Sequence, residues 1–272
     1  ELRTFGGHSE RVSSVAFSPD GRYALTGANG GELKLWEVAG GREIRSFKGH
    51  VVTVRSVAFS PDGRYVLTAS TDTARLWEVD SGRELRSFEG HSGFVSTVAF
   101  SPDGRYALTG SSDDTAKLWD VESGRETRGF EGHLNSVTSV AFSPDGRYAL
   151  TGSKNRTAKL WEVASGQEVR TFEDGLRDSV NSVAFSPDGR YALTGANGGE
   201  LKLWEVASGR EVRSFEGHTS DVASVAFSPD GRYALTGSDD GTIGYWDVQT
   251  GNRLYAAIST PHGLSLTSTT KG

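Results

Sequence analysis

The string Ser-Pro-Asp-Gly-Arg-Tyr occurs six times in this chain, beginning at Ser18, Ser60, Ser101, Ser143, Ser186 and Ser228. The steps between copies are 42, 41, 42, 43 and 42 residues. A period of this length marks one supersecondary unit repeated along the chain. Such a unit has two apolar faces and cannot bury both alone, so each copy must be covered by its neighbours. Residues 14–39 and 182–207 are identical, which points to recent copying of a unit. Tryptophan keeps the same beat at Trp36, Trp77, Trp119, Trp161, Trp204 and Trp246, each followed by Glu or Asp. A Gly-His pair opens five of the units, ending at His8, His50, His91, His133 and His218.

The first unit reads as four short strands. Val12 to Ser18 alternates around Val15 and Phe17, as a half-buried strand does. Pro19-Asp20-Gly21 then supplies a preset φ, a side chain that bonds its own backbone, and a residue tolerant of positive φ. Tyr23 to Gly27, Leu33 to Val38 and Glu43 to Phe47 follow, separated by Asn29-Gly30-Gly31 and Gly40-Gly41. Glycine is 35 of 272 residues, about twice the usual ~7% share, as many tight turns require. No segment carries a helical period of useful length. Six units supply 24 strands if Arg253 to Ile258 is the outer strand of the last, and Leu2 to Phe5 is a twenty-fifth candidate. Either terminal segment is placed to complete the last unit.

Composition excludes several classes. Cysteine is absent, which removes disulfides, thiolate catalysis and Cys-type zinc sites. The net charge of −6 is spread along the chain and shows no basic stripe, arguing against nucleic acid. Mean hydropathy is −0.43, and no window reaches the roughly 18 apolar residues of a membrane span. No secretory leader is visible, and a cytoplasmic protein is expected. Methionine is absent even at position 1, which predicts that residue 1 is not the natural start.

Gly-His, Val-x-Ser-Val-Ala-Phe-Ser-Pro-Asp-Gly, Leu-Thr-Gly and Leu-Trp-Asp/Glu, in phase over six copies, resemble the WD40 repeat family from Leu2 to about Ile258. The resemblance implies an all-β propeller of four-stranded blades around a central channel. Six blades are favoured over seven or a truncated ring, because a seventh needs about 40 residues. The expected organisation is a propeller over 1–258 and a tail over 259–272. The tail faintly echoes Ser-Pro-Asp-Gly-Arg-Tyr-Ala-Leu-Thr-Gly and reads as a degenerate or truncated further repeat, or as a lead into another domain. The near-identical copies look like bacterial arrays of this family, which often adjoin signalling or defence domains.

The same resemblance implies a structural tetrad of His, Ser/Thr, Asp and Trp within each blade. It is complete as His91, Thr109, Asp113 and Trp119, and again as His218, Thr236, Asp240 and Trp246. The fourth unit has Asn155 for Asp, the second has Asp72 displaced, the first has Gly30 at the Asp position, and the fifth has Gly198 there and Leu176 for His. The fifth blade is therefore expected to be the loosest at the His-bearing edge.

The units diverge mainly in the segments after Gly-His and in the hairpins before Leu-Trp, both on one edge. Loops on a rigid scaffold are where binding residues concentrate. The sequence thus nominates this edge for a protein or peptide partner. Arg11, Phe94, Arg177 and Asp221 are the leading contacts; Val51, Val52, Leu134 and Lys154 complete the set. Arg and aromatic residues are favoured interface anchors. The opposite edge carries one Arg per Pro-Asp-Gly turn, each beside an Asp, and reads as a mixed solvated surface.

Catalytic readings fare poorly. His, Ser/Thr and Asp recur together, but near-sixfold repetition on sheet edges is unlike one activated nucleophile in a concave site. The carboxylate pairs Asp113-Asp114 and Asp239-Asp240 read as turn formers, and no phosphate or calcium loop is present. The reading is a non-enzymatic protein-interaction scaffold without metal or cofactor; the alternative is the sensor arm of a larger signalling or defence protein.

Overall fold

The structure is a computed structural model that describes residues 4–71, 73–173, 175–260 and 263–268, from 258 on through the backbone alone. Leu2, Arg3, Asp72 and the tail beyond Ser268 lie outside the described residues. Two compact units meet at Gly132/His133, and each is described by itself.

The first unit holds three four-stranded antiparallel sheets. Blade one is β1 (Val12–Phe17), β2 (Tyr23–Ala28), β3 (Leu33–Glu37) and β4 (Arg42–Phe47). Blade two is β5 (Val54–Phe59), β6 (Tyr65–Ser70), β7 (Ala74–Glu78) and β8 (Glu84–Phe88). Blade three is β9 (Val95–Phe100), β10 (Tyr106–Ser111), β11 (Ala116–Asp120) and β12 (Glu126–Phe130). The second unit repeats the design. Blade four is β13 (Val137–Phe142), β14 (Tyr148–Ser153), β15 (Ala158–Glu162) and β16 (Glu168–Phe172). Blade five is β17 (Val180–Phe185), β18 (Tyr191–Ala196), β19 (Leu201–Glu205) and β20 (Glu211–Phe215). Blade six is β21 (Val222–Phe227), β22 (Tyr233–Ser238), β23 (Thr242–Asp247) and β24 (Arg253–Thr260), onto which β25 (Gly263–Ser268) pairs as a fifth strand.

The strand that the sequence offered at Leu2 to Phe5 is not seen over its described part. Thr4 and Phe5 belong to no strand, and the twenty-fifth strand is β25, in the tail. Phe5 instead sits edge-on to Trp36 with ring centroids 5.9 Å apart. Phe47 takes the same position against Trp77, and Phe215 against Trp246. The contact needs only the ring, so it survives without strand pairing.

The Pro-Asp-Gly turns close as their residues require. Ser18 Oγ donates to Asp20 Oδ1 at 2.6 Å, and the Arg22 N–H donates to the same oxygen at 3.0 Å. Each turn Arg lies over the adjacent Tyr ring, as Arg22 does over Tyr23 at 5.5 Å. The same contact recurs in all six turns, with each guanidinium carbon 5.3 to 5.5 Å from the centroid of the adjacent ring.

The cores lie between blades. In the first unit Leu25, Leu33, Leu35 and Phe47 pack against Val54, Val57 and Trp77 of the next blade. In the second, Leu193, Leu201, Leu203 and Phe215 pack against Ala234 and Trp246. All six tryptophans are at most 2% exposed. Arginines also reach across within each unit: Arg45 donates to the carbonyls of Asp80 and Ser81, Arg86 to Glu122, Arg170 to Ala207 and Ser208, and Arg213 to Gln249 and Thr250.

Candidate functional site

The His-bearing edge is set by a hydrogen-bond relay. In blade three the Trp119 Nε1–H donates to Thr109 Oγ1 at 2.9 Å. Thr109 Oγ1 lies 2.7 Å from His91 Nε2, and His91 Nδ1 lies 2.8 Å from Asp113 Oδ2. The carboxylate can only accept, so it takes the proton of Nδ1, and Nε2 then accepts from the threonine hydroxyl. Blade six repeats this through Trp246, Thr236, His218 and Asp240 at 2.8, 2.7 and 2.8 Å. Asp113 also accepts the Ser92 N–H at 2.9 Å, and Asp240 that of Thr219 at 3.1 Å. Each relay therefore ties the variable loop directly to the buried tryptophan.

Burial sets the protonation of these groups. It pushes His91 and His218 below the ordinary imidazole range, against the pull of Asp113 and Asp240. His133, whose partner is the neutral Asn155, is lowered further, to about 4. Asp113 is lowered to about 2: burial opposes ionisation, and hydrogen bonds from Thr115 and His91 outweigh it. Asp240 is lowered in the same way by Thr242 and His218. A neutral imidazole beside a fixed carboxylate here orients a loop.

The remaining blades show how the incomplete sets are arranged. In blade four His133 Nε2 lies 2.6 Å from Thr151 Oγ1, and Nδ1 lies 3.2 Å from both Asn155 Oδ1 and Thr157 Oγ1. In blade two His50 Nε2 lies 2.7 Å from Thr68 Oγ1, which accepts from Trp77 at 2.9 Å. In blade one the missing Asp is replaced from an unforeseen position. His8 Nδ1 lies 2.7 Å from Glu32 Oε2, two residues beyond the place where the other blades carry the acid. In blade five the equivalent Glu200 accepts the Arg177 N–H at 3.0 Å, while Leu176 is buried where His stands elsewhere. The edge of blade five thus has its own tie. The signal for both acids was the Asn-Gly-Gly-Glu string at 29–32 and 197–200.

The nominated contact residues divide by exposure. In the first unit Arg11 is exposed, Val51 is 79% exposed, Val52 37% and Phe94 55%. In the second, Leu134 is 85% exposed and Lys154 is exposed. The Arg177 side chain is 88% exposed, with Glu200 3.9 Å away. Asp221 differs. It is half-buried, and its carboxylate accepts the Gly198 N–H of the neighbouring blade at 2.9 Å. Its first role is to hold a turn.

Repeat beat, four-stranded sheets and the Trp-Thr-His-acid relay meet in one molecule. The family model described as the IFT122 first beta-propeller matches residues 54–250, well over half of the chain. The chain belongs to the WD40 repeat β-propeller family. The model described as WD domain, G-beta repeat matches residues 1–37. Among curated proteins, the small ribosomal subunit protein RACK1y of Oryza sativa subsp. japonica is 50% identical over 40 residues, 15% of this chain and 12% of its own length. The ribosome biogenesis protein ERB1 of Debaryomyces hansenii is 38% identical over 40 residues, 15% of this chain and 5% of its own. The WD40 chain thus matches only a small part of either relative, about the length of one repeat. WD40 propellers generally serve as protein-interaction scaffolds and are typically non-catalytic. Among the described residues, no group of three or more His, Cys, Asp or Glu could hold a metal ion. Among the described residues, no helix is long and apolar enough to cross a membrane.

Proposed function

We propose that this WD40 propeller is a non-catalytic scaffold that captures a protein or peptide on its His-bearing loops. The observation that carries the reading is the exposure of large apolar side chains on loops whose backbones are pinned. Val51, Phe94 and Leu134 are 79%, 55% and 85% exposed. Phe94 follows the loop that Asp113 holds at Ser92, and its own N–H donates to Ser112 Oγ at 2.8 Å. Leu134 directly follows His133. A pre-organised loop loses little conformational entropy on binding, so its apolar contacts convert efficiently into affinity.

The test is quantitative affinity capture with mass spectrometry from cells that express the protein. Wild type is compared with Val51→Ser, Phe94→Ala and Leu134→Ser combined. The expected result is loss of the stoichiometric companion with an unchanged melting temperature. Equal capture by the folded triple variant would overturn the choice of edge.

A further inference from the structure

Residues 14–39 and 182–207 have one sequence, so blades one and five carry the same Asn-Gly-Gly-Glu hairpin. The two turns also share their shape. Gly30 has φ 71° and ψ 8°, and Gly198 has φ 69° and ψ 16°. The Asn29 N–H donates to the Arg11 carbonyl at 2.9 Å, and the Asn197 N–H to that of Ser179 at 3.0 Å. Both asparagines are half-buried, and both following glycines are exposed. What differs comes from residues outside the copied stretch.

In blade five the Asn-Gly pair is held at three points. Asn181 Nδ2 donates to Asn197 Oδ1 at 2.8 Å, and Asn197 Nδ2 donates to Asp178 Oδ1 at 3.3 Å. The Gly198 N–H donates to Asp221 Oδ1 at 2.9 Å. In blade one the same three positions are Ser13, Glu10 and Thr53, all in the unit that holds Asn29. Ser13 turns its hydroxyl to the carbonyls of Gly27 and Val54 instead. Among the described residues, nothing bonds the Asn29 side-chain amide or accepts the Gly30 N–H. An asparagine side chain is open to attack by the next backbone nitrogen, most of all before glycine, which has no Cβ to hinder the approach.

We propose that Asn29 is a site of spontaneous deamidation, and that Asn197 is shielded from the same reaction. The Gly30 nitrogen loses its proton to solvent base and bonds to Asn29 Cγ. The Cγ–Nδ2 bond breaks, and the amide nitrogen leaves as ammonia. The product is a five-membered succinimide, which water opens at either carbonyl. Breaking the new N–Cγ bond leaves an aspartyl residue. Breaking the original peptide bond leaves an isoaspartyl residue, with the main chain rerouted through the side chain. At Asn197 the nucleophile is tied to a carboxylate and the amide is held at both ends, so three bonds must open first. At Asn29 none must. The new carboxylate arises in the turn that carries Glu32 to His8, close to Glu10, whose Cγ lies 3.8 Å from a Cβ built on Gly30. The isoaspartyl form also lengthens the main chain just ahead of Gly31, which packs against the His50 carbonyl. The modification therefore acts on the tie of the His8 loop.

The test is peptide mass mapping of the folded full chain, sampled during incubation at mildly alkaline pH. Tryptic peptides cannot serve, because Tyr23–Lys34 and Tyr191–Lys202 are identical. Cleavage after glutamate yields residues 11–32 and 174–200, which differ in mass. Each is scored for conversion of amide to acid, and electron-based fragmentation separates aspartate from isoaspartate. Conversion at position 29 should run at least about tenfold faster than at 197, since opening one charge-assisted hydrogen bond alone slows a reaction by about that factor. In urea the two identical sequences should convert alike, which assigns the difference to the fold. Asp221→Ala frees the Gly198 N–H and should speed conversion at 197 severalfold, leaving that at 29 unchanged. The comparison within the wild-type chain stands whether or not this variant folds. Equal rates in the folded wild type, faster conversion at 197, or a difference that persists in urea would each overturn the proposal. So would a folded Asp221→Ala protein in which 197 stays as slow as before.

Discussion

His8 and Glu32 are joined at 2.7 Å across 24 residues of chain, whereas His91 and Asp113, and His218 and Asp240, meet at 2.8 Å across 22. One loop anchor is therefore reached by two routes. In the first, a short acid sits at the tip of the hairpin. In the second, the Asn29-Gly30-Gly31 turn carries the chain past the tip, and a longer acid reaches back. Glu32 also accepts from Ser9, and these bonds from Ser9 and His8 lower its pKa.

Replacing Glu32 with Ala is expected to lower stability by roughly 1 kcal/mol, a charge-assisted bond discounted for a side chain 28% exposed. Glu200→Ala should cost less, because Leu176 offers no imidazole, and what is lost is the Arg177 N–H bond and a 3.9 Å pairing with the exposed Arg177 side chain. Urea denaturation of the two variants ranks them directly. An equal loss would mean that the His8 bond adds nothing to the tie.

Acid should destabilise the fold in a defined window. His133 has a folded pKa of about 4 against an ordinary 6.5, because burial disfavours its charged form. Between these values the unfolded chain binds more protons than the folded one, so stability falls as pH falls. The full effect of this group is about 3 kcal/mol, from 1.36 kcal/mol per pH unit. It is present above about pH 6.5 and gone below about pH 4. His91 and His218 add in the same direction. Asp113, lowered to about 2, withdraws its own contribution only below the ordinary carboxylate range. Imidazole NMR titration should place His133 near 4, and His133→Gln should flatten the slope of stability between pH 4 and 6.5. A His133 that titrates near 6.5 would refute this account.

The repeat and the turn chemistry made the fold legible, because every unit states its strands locally and six copies vote on the same reading. Blade one was anticipated to within a residue at nearly every strand end. The relay was legible for the same reason: its members keep fixed separations on paired strands, and Thr109 and Trp119 lie on adjacent β10 and β11. What escaped depends on the path of an irregular loop. Glu32 stands two residues beyond the place where other blades carry the acid, and the local pattern around Asp221 does not show that its oxygen accepts the Gly198 N–H. Leu2 to Phe5 is one candidate for a twenty-fifth strand and the strand observed is β25, because both terminal segments have strand-like patterns. Pairing is non-local, and local propensity does not choose between competing edges.

Thr109 and Thr194 separate the two halves of the relay. Each accepts its tryptophan Nε1–H at 2.9 Å. Only Thr109 also faces an imidazole, since Leu176 stands in the fifth blade. Thr109→Val leaves both Trp119 Nε1 and His91 Nε2 without that hydroxyl, and Thr194→Val leaves only Trp204. With ~1–3 kcal/mol for each buried polar group left unpaired, the first change should cost about twice the second. Thermal unfolding of the two variants decides. Equal losses would show that the His91 bond to Thr109 contributes nothing net.

Adjacent glycines in blade one offer the sharpest contrast. Gly30 and Gly31 both have positive φ, 71° and 82°. An alanine at Gly30 would approach nothing closer than Glu10 Cγ at 3.8 Å, so its penalty is backbone strain alone, roughly 1–2 kcal/mol. An alanine at Gly31 would collide with the His50 carbonyl oxygen, with its carbon only 2.6 Å away. Backbone cannot rotate aside as a side chain can. Relieving the clash moves the loop that leads from His50 into Val51 and Val52. Gly31→Ala should therefore cost several kcal/mol, exceed Gly30→Ala severalfold, and weaken partner capture through the displaced valines. Gly199→Ala, which faces the His218 carbonyl in the same way, should reproduce the stability loss in the second unit. Denaturation midpoints for the three variants check the ranking, and a Gly31→Ala protein as stable as Gly30→Ala would remove the His50 contact from the account.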